Sequence, residues 1–196
     1  MAPTPTNRVA EADMSPEFRA IRETAVNVAG EAVFVDVLAN HPALLQWYNR
    51  SFYGEIYAGP DMKVDARSKE LLRLRLSKGH GCHVCNSFNV RSAREAGFSE
   101  EQIAGVAEFR PGLFDARDQA VVDLAAEIDM RNVDGRISDD LYRRLRLFYD
   151  DAQIVELTLV GSILTGFSKF LFVCDLVSRD AACPIAPASS ADAAHG

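Results

Sequence analysis

The apolar residues of the chain recur at helical spacing. From position 15 onward they return every three or four residues in successive segments, and no segment alternates apolar and polar residues as a half-buried strand would. Capping residues mark the starts of these segments: Ser15 precedes Pro16, Ser99 and Gln102 form a capping box, and Asp115 begins a later segment. The pattern predicts an all-α protein.

The same pattern divides the chain into three parts. Residues 1–14 contain two prolines and little periodic apolar content, which favours a flexible N-terminal arm. Residues 15–178 carry all the helical segments and predict one domain. Residues 179–196 are rich in small residues and proline, a composition typical of a disordered tail.

The most apolar segment, residues 154–177, is long enough to cross a bilayer. It contains Glu156, Lys169 and Asp175, and charges within a spanning helix are costly. We therefore expect a buried or interface helix and no membrane partner. Because the segment is apolar on more than one face, we also expect a homo-oligomer.

Net charge and the N-terminus restrict the function classes. The formal net charge of −7 argues against a nucleic-acid partner, since such a protein needs a basic surface to displace counterions. The first residues lack the apolar core of a secretory signal. These features favour a cytoplasmic protein.

Four cysteines are present, and two of them form a C-x-x-C motif at Cys82 and Cys85. Gly79-His80-Gly81 breaks the preceding helical pattern, so the motif is predicted to start a helix. The positive end of a helix favours a thiolate, and two sulfurs one turn apart can form a disulfide. One cysteine could therefore attack an oxidant while the other resolves the resulting sulfenic acid.

Other interpretations of the motif are possible. Both cysteines could be small buried apolar residues, as is expected for Cys174, and Cys183 in the tail is incidental. A zinc site using His80, Cys82, His83 and Cys85 would place four ligands within six residues, whereas structural zinc sites use two separated pairs. We expect neither a metal nor another cofactor.

The residues around the motif resemble the alkylhydroperoxidase D and carboxymuconolactone decarboxylase superfamily. The matching features are Arg67-x-x-Glu70, an apolar helix, Cys82-x-x-Cys85 and Ala93-Arg94-x-x-Gly97-Phe98-Ser99. The resemblance implies a helical bundle that assembles as a dimer, trimer or hexamer. It also implies reduction of organic hydroperoxides, with a dithiol or lipoyl partner as reductant.

By position, the resemblance makes Cys85 the peroxidatic cysteine, Cys82 the resolving cysteine and Glu70 the proton-relay glutamate. The histidine that the family carries four residues after the second cysteine is replaced by Asn89, which can hydrogen-bond but cannot accept a proton near neutral pH. His83 is a candidate substitute, and His80 has a similar but weaker claim. Thiol peroxidase is the predicted function; the alternatives are a decarboxylase-type lyase and a non-catalytic redox-sensing oligomer.

Two segments of the chain show a weak similarity to each other. Residues 69–72 and 155–158 share an acidic-apolar pattern, and each is followed by an apolar helical segment. Twelve residues after Glu70 stands Cys82, and twelve after Glu156 stands Ser168. This similarity predicts a degenerate helical repeat in which only the first half kept its thiols.

Overall fold

The computed structural model describes residues 6–107, 110 and 112–178, and the regular structure of this part is entirely helical. This confirms the predicted all-α class. The α-helices are α1 (Pro16–Ala29), α2 (Val33–Leu38), α3 (Pro42–Gln46), α4 (Ala66–His80), α5 (His83–Glu95), α6 (Glu100–Gly105), α7 (Ala116–Ile128), α8 (Asp139–Leu145) and α9 (Asp151–Val173). A 3-10 turn (Glu11–Asp13) precedes α1, and a π-helix (Trp47–Tyr57) follows α3.

Helix α4 is the centre of the fold, packing against α5, α7 and α9. Asp65 caps its first turn by accepting the Ser68 N–H, and Gly81 ends it in the left-handed region at φ 67°. The helix thus ends within the predicted break at Gly79-His80-Gly81, at the last residue of that tripeptide. A Cβ at Gly79 would lie 2.7 Å from both the Arg75 guanidinium and the Asp129 carboxylate, so this glycine permits close packing.

The segment after Pro42 also differs from its prediction. Its apolar stripe predicts one α-helix to near Gly59, but after α3 the chain continues as eleven residues of π-helix. A π-helix brings residues five apart onto one side, and such segments are common at functional sites. Here the wider turn brings the hydroxyls of Tyr48 and Tyr53 within 3.4 Å of each other.

The interior contains two clusters of buried apolar side chains. One cluster joins α4 to α7, α8 and the first half of α9. The other joins α1, α2, the start of α5 and the end of α9. Because α9 crosses both clusters, its inner face, including Leu157, Val160 and Leu171, connects them.

Within the described residues, α9 is the helix long and apolar enough to cross a membrane, judged by length and composition alone. One of its charged residues is satisfied by the fold, since Glu156 forms an ion pair with Lys69 of α4. Its outer face leaves apolar side chains exposed at Val155, Leu159 and Val173.

The chain termini only partly enter the described structure. From Asn7 onward the predicted arm contacts the helices: the Asn7 carbonyl accepts the Asn40 side-chain amide at 2.7 Å, the Val9 N–H donates to the Asp36 carbonyl, and Met14 is buried. Residues 1–5 and the predicted tail at 179–196, including Cys183, lie outside the described residues.

Candidate active site

Cys82 and Cys85 form a disulfide at the start of α5, with their Cα atoms 5.3 Å apart. Cys82 is the N-cap residue, fully buried, and its sulfur accepts the Cys85 N–H at 3.2 Å. Cys85 lies in the first turn and is half-buried. The two sulfurs therefore differ in access: Cys85 borders a cavity, whereas Cys82 lies behind it in the core.

The cavity has a volume of about 310 Å³ and lies between the two buried clusters. Residues from α1, α2, the π-helix, α4, α5 and α9 form its wall. Its apolar lining includes the rings of Phe34, Tyr48, Phe88 and Phe167. A mostly apolar cleft with a few polar groups is typical of a small-molecule site.

Arg73 of α4 contributes a cation to this wall. Its Nη1 atom lies 3.3 Å from Glu70 Oε1, and its guanidinium carbon lies 5.4 and 5.6 Å from the ring centroids of Tyr53 and Tyr57. Burial by itself lowers the pKa of Arg73, but Tyr53, Tyr57 and Glu70 outweigh that effect and raise it. Arg73 is therefore a permanent positive charge.

Two tyrosines of the π-helix complete the polar part of the site. Burial raises the pKa of Tyr48 and of Tyr57 well above the ordinary value, so both remain protonated. The Tyr57 hydroxyl donates to Glu70 Oε1 at 2.9 Å. Tyr48 stacks on Phe167 of α9 with centroids 3.9 Å apart, which links the π-helix to the opposite wall.

Asn89 also lines the cavity, and it sets the register of α4 against α5. Its Nδ2 atom donates to the Arg73 carbonyl at 3.2 Å. Because the two helices run antiparallel through Gly81, Cys85 lies near the level of Ser77, which also borders the cavity. Glu70 lies two helical turns further along, roughly 10 Å at 1.5 Å per residue.

The predicted relay residues thus fall in different places. Asn89 and Cys85 share the cavity wall, while Glu70 is buried behind Arg73 and outside the lining. His83 is exposed on the far side of the cysteine turn, where its backbone N–H donates to the Ser178 carbonyl. The relay roles of Glu70 and His83 remain predictions.

His80 is fully buried away from the cavity, with Nε2 4.0 Å from Asp129 Oδ1. The four residues of the zinc alternative are consequently not gathered around one point. In the described ranges, no group of three or more histidine, cysteine, aspartate or glutamate side chains is arranged to hold a metal ion.

We expect His80 to make the fold sensitive to mild acid. Burial lowers its pKa from 6.5 to about 4, against the attraction of Asp129 and with the help of Arg131 and Arg75. Between these two values the unfolded chain binds a proton that the folded chain does not, so stability falls as pH falls from about 6.5 to about 4. The full loss is on the order of 3 kcal/mol.

Urea unfolding of wild type and His80→Gln at several pH values between 7 and 4.5 measures this effect. The variant should show a flatter dependence, and His83→Gln, which replaces an exposed histidine, should follow wild type. Parallel curves for wild type and His80→Gln would contradict the assignment.

The sequence analysis did not identify Arg73 or the tyrosines as site residues. A signal existed: Arg73 lies one turn after Glu70 and four residues before Ser77, on the helix face that ends near the cysteines. The tyrosine positions had no comparable signal, because a π-helix is not recognisable from a 3.6-residue period. Ser168, which is equivalent to Cys82 in the predicted repeat, also lines the cavity.

Comparison with known proteins agrees with this arrangement. Residues 42–127, which include the π-helix, α4 and the cysteine pair, match the carboxymuconolactone decarboxylase family. A curated relative, the uncharacterized protein YdfG of Bacillus subtilis, is 28% identical over 107 residues, covering 54% of this chain and 72% of YdfG. Residues 42–127 of the chain are therefore similar in sequence to the carboxymuconolactone decarboxylase family.

Solved structures share the fold over nearly the whole chain. The debrominase Bmp8 superposes with a TM-score of 0.70 at 14% identity, covering 94% of this chain and 96% of Bmp8. Bmp8 is also known as a cysteine-to-alanine variant in complex with 2,3,4-tribromopyrrole. A peroxidase-related protein of Ralstonia eutropha JMP134 with an alkylhydroperoxidase D core superposes with a TM-score of 0.69 at 11% identity, covering 92% and 95% of the two chains.

Proposed function

We propose that the protein is a thiol-dependent oxidoreductase that reduces small organic hydroperoxides through Cys85 and Cys82. The observation that carries the proposal is the unequal placement of the pair: Cys85 borders an apolar cavity, while Cys82 is buried within bonding distance behind it. A substrate in the cavity meets one sulfur only. The second sulfur is held ready to close the disulfide.

The proposed cycle balances in three steps. The Cys85 thiolate attacks the terminal peroxide oxygen, the O–O bond breaks, and the alkoxide leaves as an alcohol after taking a proton from water. The Cys82 thiol then attacks the sulfenic acid of Cys85, which forms the disulfide and releases water. A dithiol reductant reopens the disulfide by thiol exchange and is oxidised to its own disulfide.

The first turn of α5 supports the first step. Cys85 lies at the positive end of a 13-residue helix, where a negative charge is stabilised. Arg73 adds a permanent cation to the same cavity. Glu70 keeps the relay role that the resemblance implies, and its position behind Arg73 requires any proton it supplies to pass through an intervening hydroxyl or water.

A second candidate is reductive dehalogenation of a small aromatic compound. The aromatic rings in the cavity wall and the likeness to the debrominase Bmp8 favour it. The electron balance uses the same pair: the aryl–bromine bond is replaced by aryl–hydrogen, bromide leaves, and two thiols become one disulfide. The reductant would again be a dithiol.

One assay separates these functions. The reduced protein is incubated with dihydrolipoamide and either cumene hydroperoxide or tribromopyrrole, and dithiol loss, alcohol formation and bromide release are followed. We expect peroxide-dependent dithiol loss matched one to one by alcohol. Background rates with peroxide but stoichiometric bromide release would replace the first function by the second, and no turnover with either, alongside a disulfide that still cycles, would favour the redox-sensing alternative.

The partners follow from the same reasoning. We propose an organic hydroperoxide as substrate, a dithiol or lipoyl group as reductant, and a cytoplasmic location.

We also propose a homo-oligomer in which the exposed apolar face of α9 is covered by a second copy. Sedimentation velocity should then show wild type above monomer mass, and Leu159→Glu should shift it toward monomer.

A further inference from the structure

The charge that lines the cavity can serve a second purpose besides stabilising the Cys85 thiolate. Of the described residues that line it, Arg73 alone carries a charge, and the protein as a whole is acidic with a formal net charge of −7. A cation in a mostly apolar wall costs free energy unless a partner compensates for it. Its partner and its orientation therefore indicate what the cavity is built to hold.

The partner of Arg73 lies on the side away from the cavity. Glu70 is buried in α4 and is absent from the lining, whereas Arg73 is one of the residues that line the cavity. The ion pair is long, with Nη1 at 3.3 and 3.5 Å from the two carboxylate oxygens. Glu70 also accepts the Tyr57 hydroxyl at 2.9 Å, which spreads its charge over a second donor. Of the two members of the pair, only the cationic one therefore borders the cavity.

The guanidinium is also held in position before any ligand arrives. Tyr53 and Tyr57 of the π-helix lie beside it, with their ring centroids 5.4 and 5.6 Å from its central carbon. Stacking on aromatic rings is a usual way to fix an arginine that binds a carboxylate. A fixed guanidinium loses little conformational entropy on binding an anion.

We infer that the cavity takes a compact, mostly apolar organic acid, whose carboxylate binds Arg73 while its apolar body packs against the aromatic wall. The volume of about 310 Å³ corresponds to roughly ten water volumes, enough for a substituted benzoate or a short branched acid. This inference deepens the proposed function by naming the substrate class: hydroperoxides that also carry an acid group.

Ligand binding tests the inference on the oxidised full-length protein, in which no turnover takes place. The probes are 4-isopropylbenzoate and 4-isopropylbenzamide, which share a shape and differ in charge at pH 7. Isothermal titration of wild type should show the benzoate bound at least about tenfold more tightly, because a charge-assisted hydrogen bond distinguishes the two. Equal affinities, or a preference for the amide, would overturn the inference.

Three variants test whether Arg73 is the cause of the preference for the acid. Arg73→Met should remove the preference for the acid, and Glu70→Gln, which removes the competing carboxylate, should strengthen benzoate binding and leave the amide unchanged. Arg91→Met replaces an exposed arginine of α5 that pairs with Glu95, and it should behave as wild type. If Arg73→Met fails to fold, Glu70→Gln still decides: benzoate affinity unchanged or weakened counts against the inference.

The outcomes for binding and for turnover are separable. Charge-dependent binding without peroxide reduction would keep the substrate class and remove the proposed function. Peroxide reduction with equal rates for cumene hydroperoxide and a carboxylated analogue, together with equal binding of acid and amide, would keep the function and remove the substrate class.

Discussion

Cys85→Ser is expected to reduce hydroperoxide turnover to the background rate, whereas Cys82→Ser should stop the cycle halfway. The physical reason is the unequal access of the two sulfurs: Cys85 borders the cavity, and Cys82 is fully buried at the N-cap of α5. Without Cys85, none of the described residues that line the cavity has a thiol to attack the peroxide. Without Cys82 the sulfenic acid forms but has no neighbouring thiol to resolve it.

Dimedone labelling of intact protein after one equivalent of cumene hydroperoxide distinguishes the two variants. Cys82→Ser should gain one adduct on Cys85, and Cys85→Ser should gain none. Cys174→Ser is the matched control, because Cys174 is a free cysteine in the cap position of α9, and it should turn over like wild type. An adduct on Cys82 in the Cys85→Ser protein would reverse the assignment of the attacking sulfur.

Lys69→Met is expected to cost about 3–5 kcal/mol of unfolding free energy, the usual effect of breaking a buried ion pair. The Lys69 ammonium donates to Glu156 Oε1 at 3.1 Å and to the Tyr57 carbonyl, and the two side chains are 5% and 9% exposed. Its removal leaves the Glu156 carboxylate buried, held only by the N–H groups of Lys63 and Val64. The Tyr57 carbonyl, at the end of the π-helix, would lose the Lys69 ammonium that connects it to Glu156 of α9.

Chemical denaturation of the single and double variants measures this cost. Lys69→Met combined with Glu156→Gln should recover part of the loss, since no uncompensated charge then remains. Arg91→Met, which breaks an exposed pair with Glu95 at 3.1 Å, should change stability by less than about 1 kcal/mol. A loss for Lys69→Met no greater than that of Arg91→Met would mean that the buried pair does not hold these elements together.

The π-helix and the burial of Arg73 are two features that the sequence did not predict. The apolar period after Pro42 predicts a helix, and a helix is present, but the change to five-residue hydrogen bonding leaves no mark on a 3.6-residue period. The approach of Tyr53 and Tyr57 to Arg73 depends on that change. Likewise, the acidic-basic spacing of Glu70 and Arg73 is common on exposed helix faces, and only the packing against the π-helix makes the pair buried.

By itself the sequence determined the helical class, the cysteine pair at the start of a helix and the likeness of residues 42–127 to the carboxymuconolactone decarboxylase family. Each of these depends on local spacing and on capping residues that are neighbours in the chain. Only the tertiary structure decided that Cys85 borders the cavity and Cys82 does not, that Glu70 lies behind Arg73, and that His83 is exposed away from both. Those facts depend on how α4, α5, α9 and the π-helix approach one another. Residues far apart in the chain contribute to one wall, and no local pattern encodes their distances.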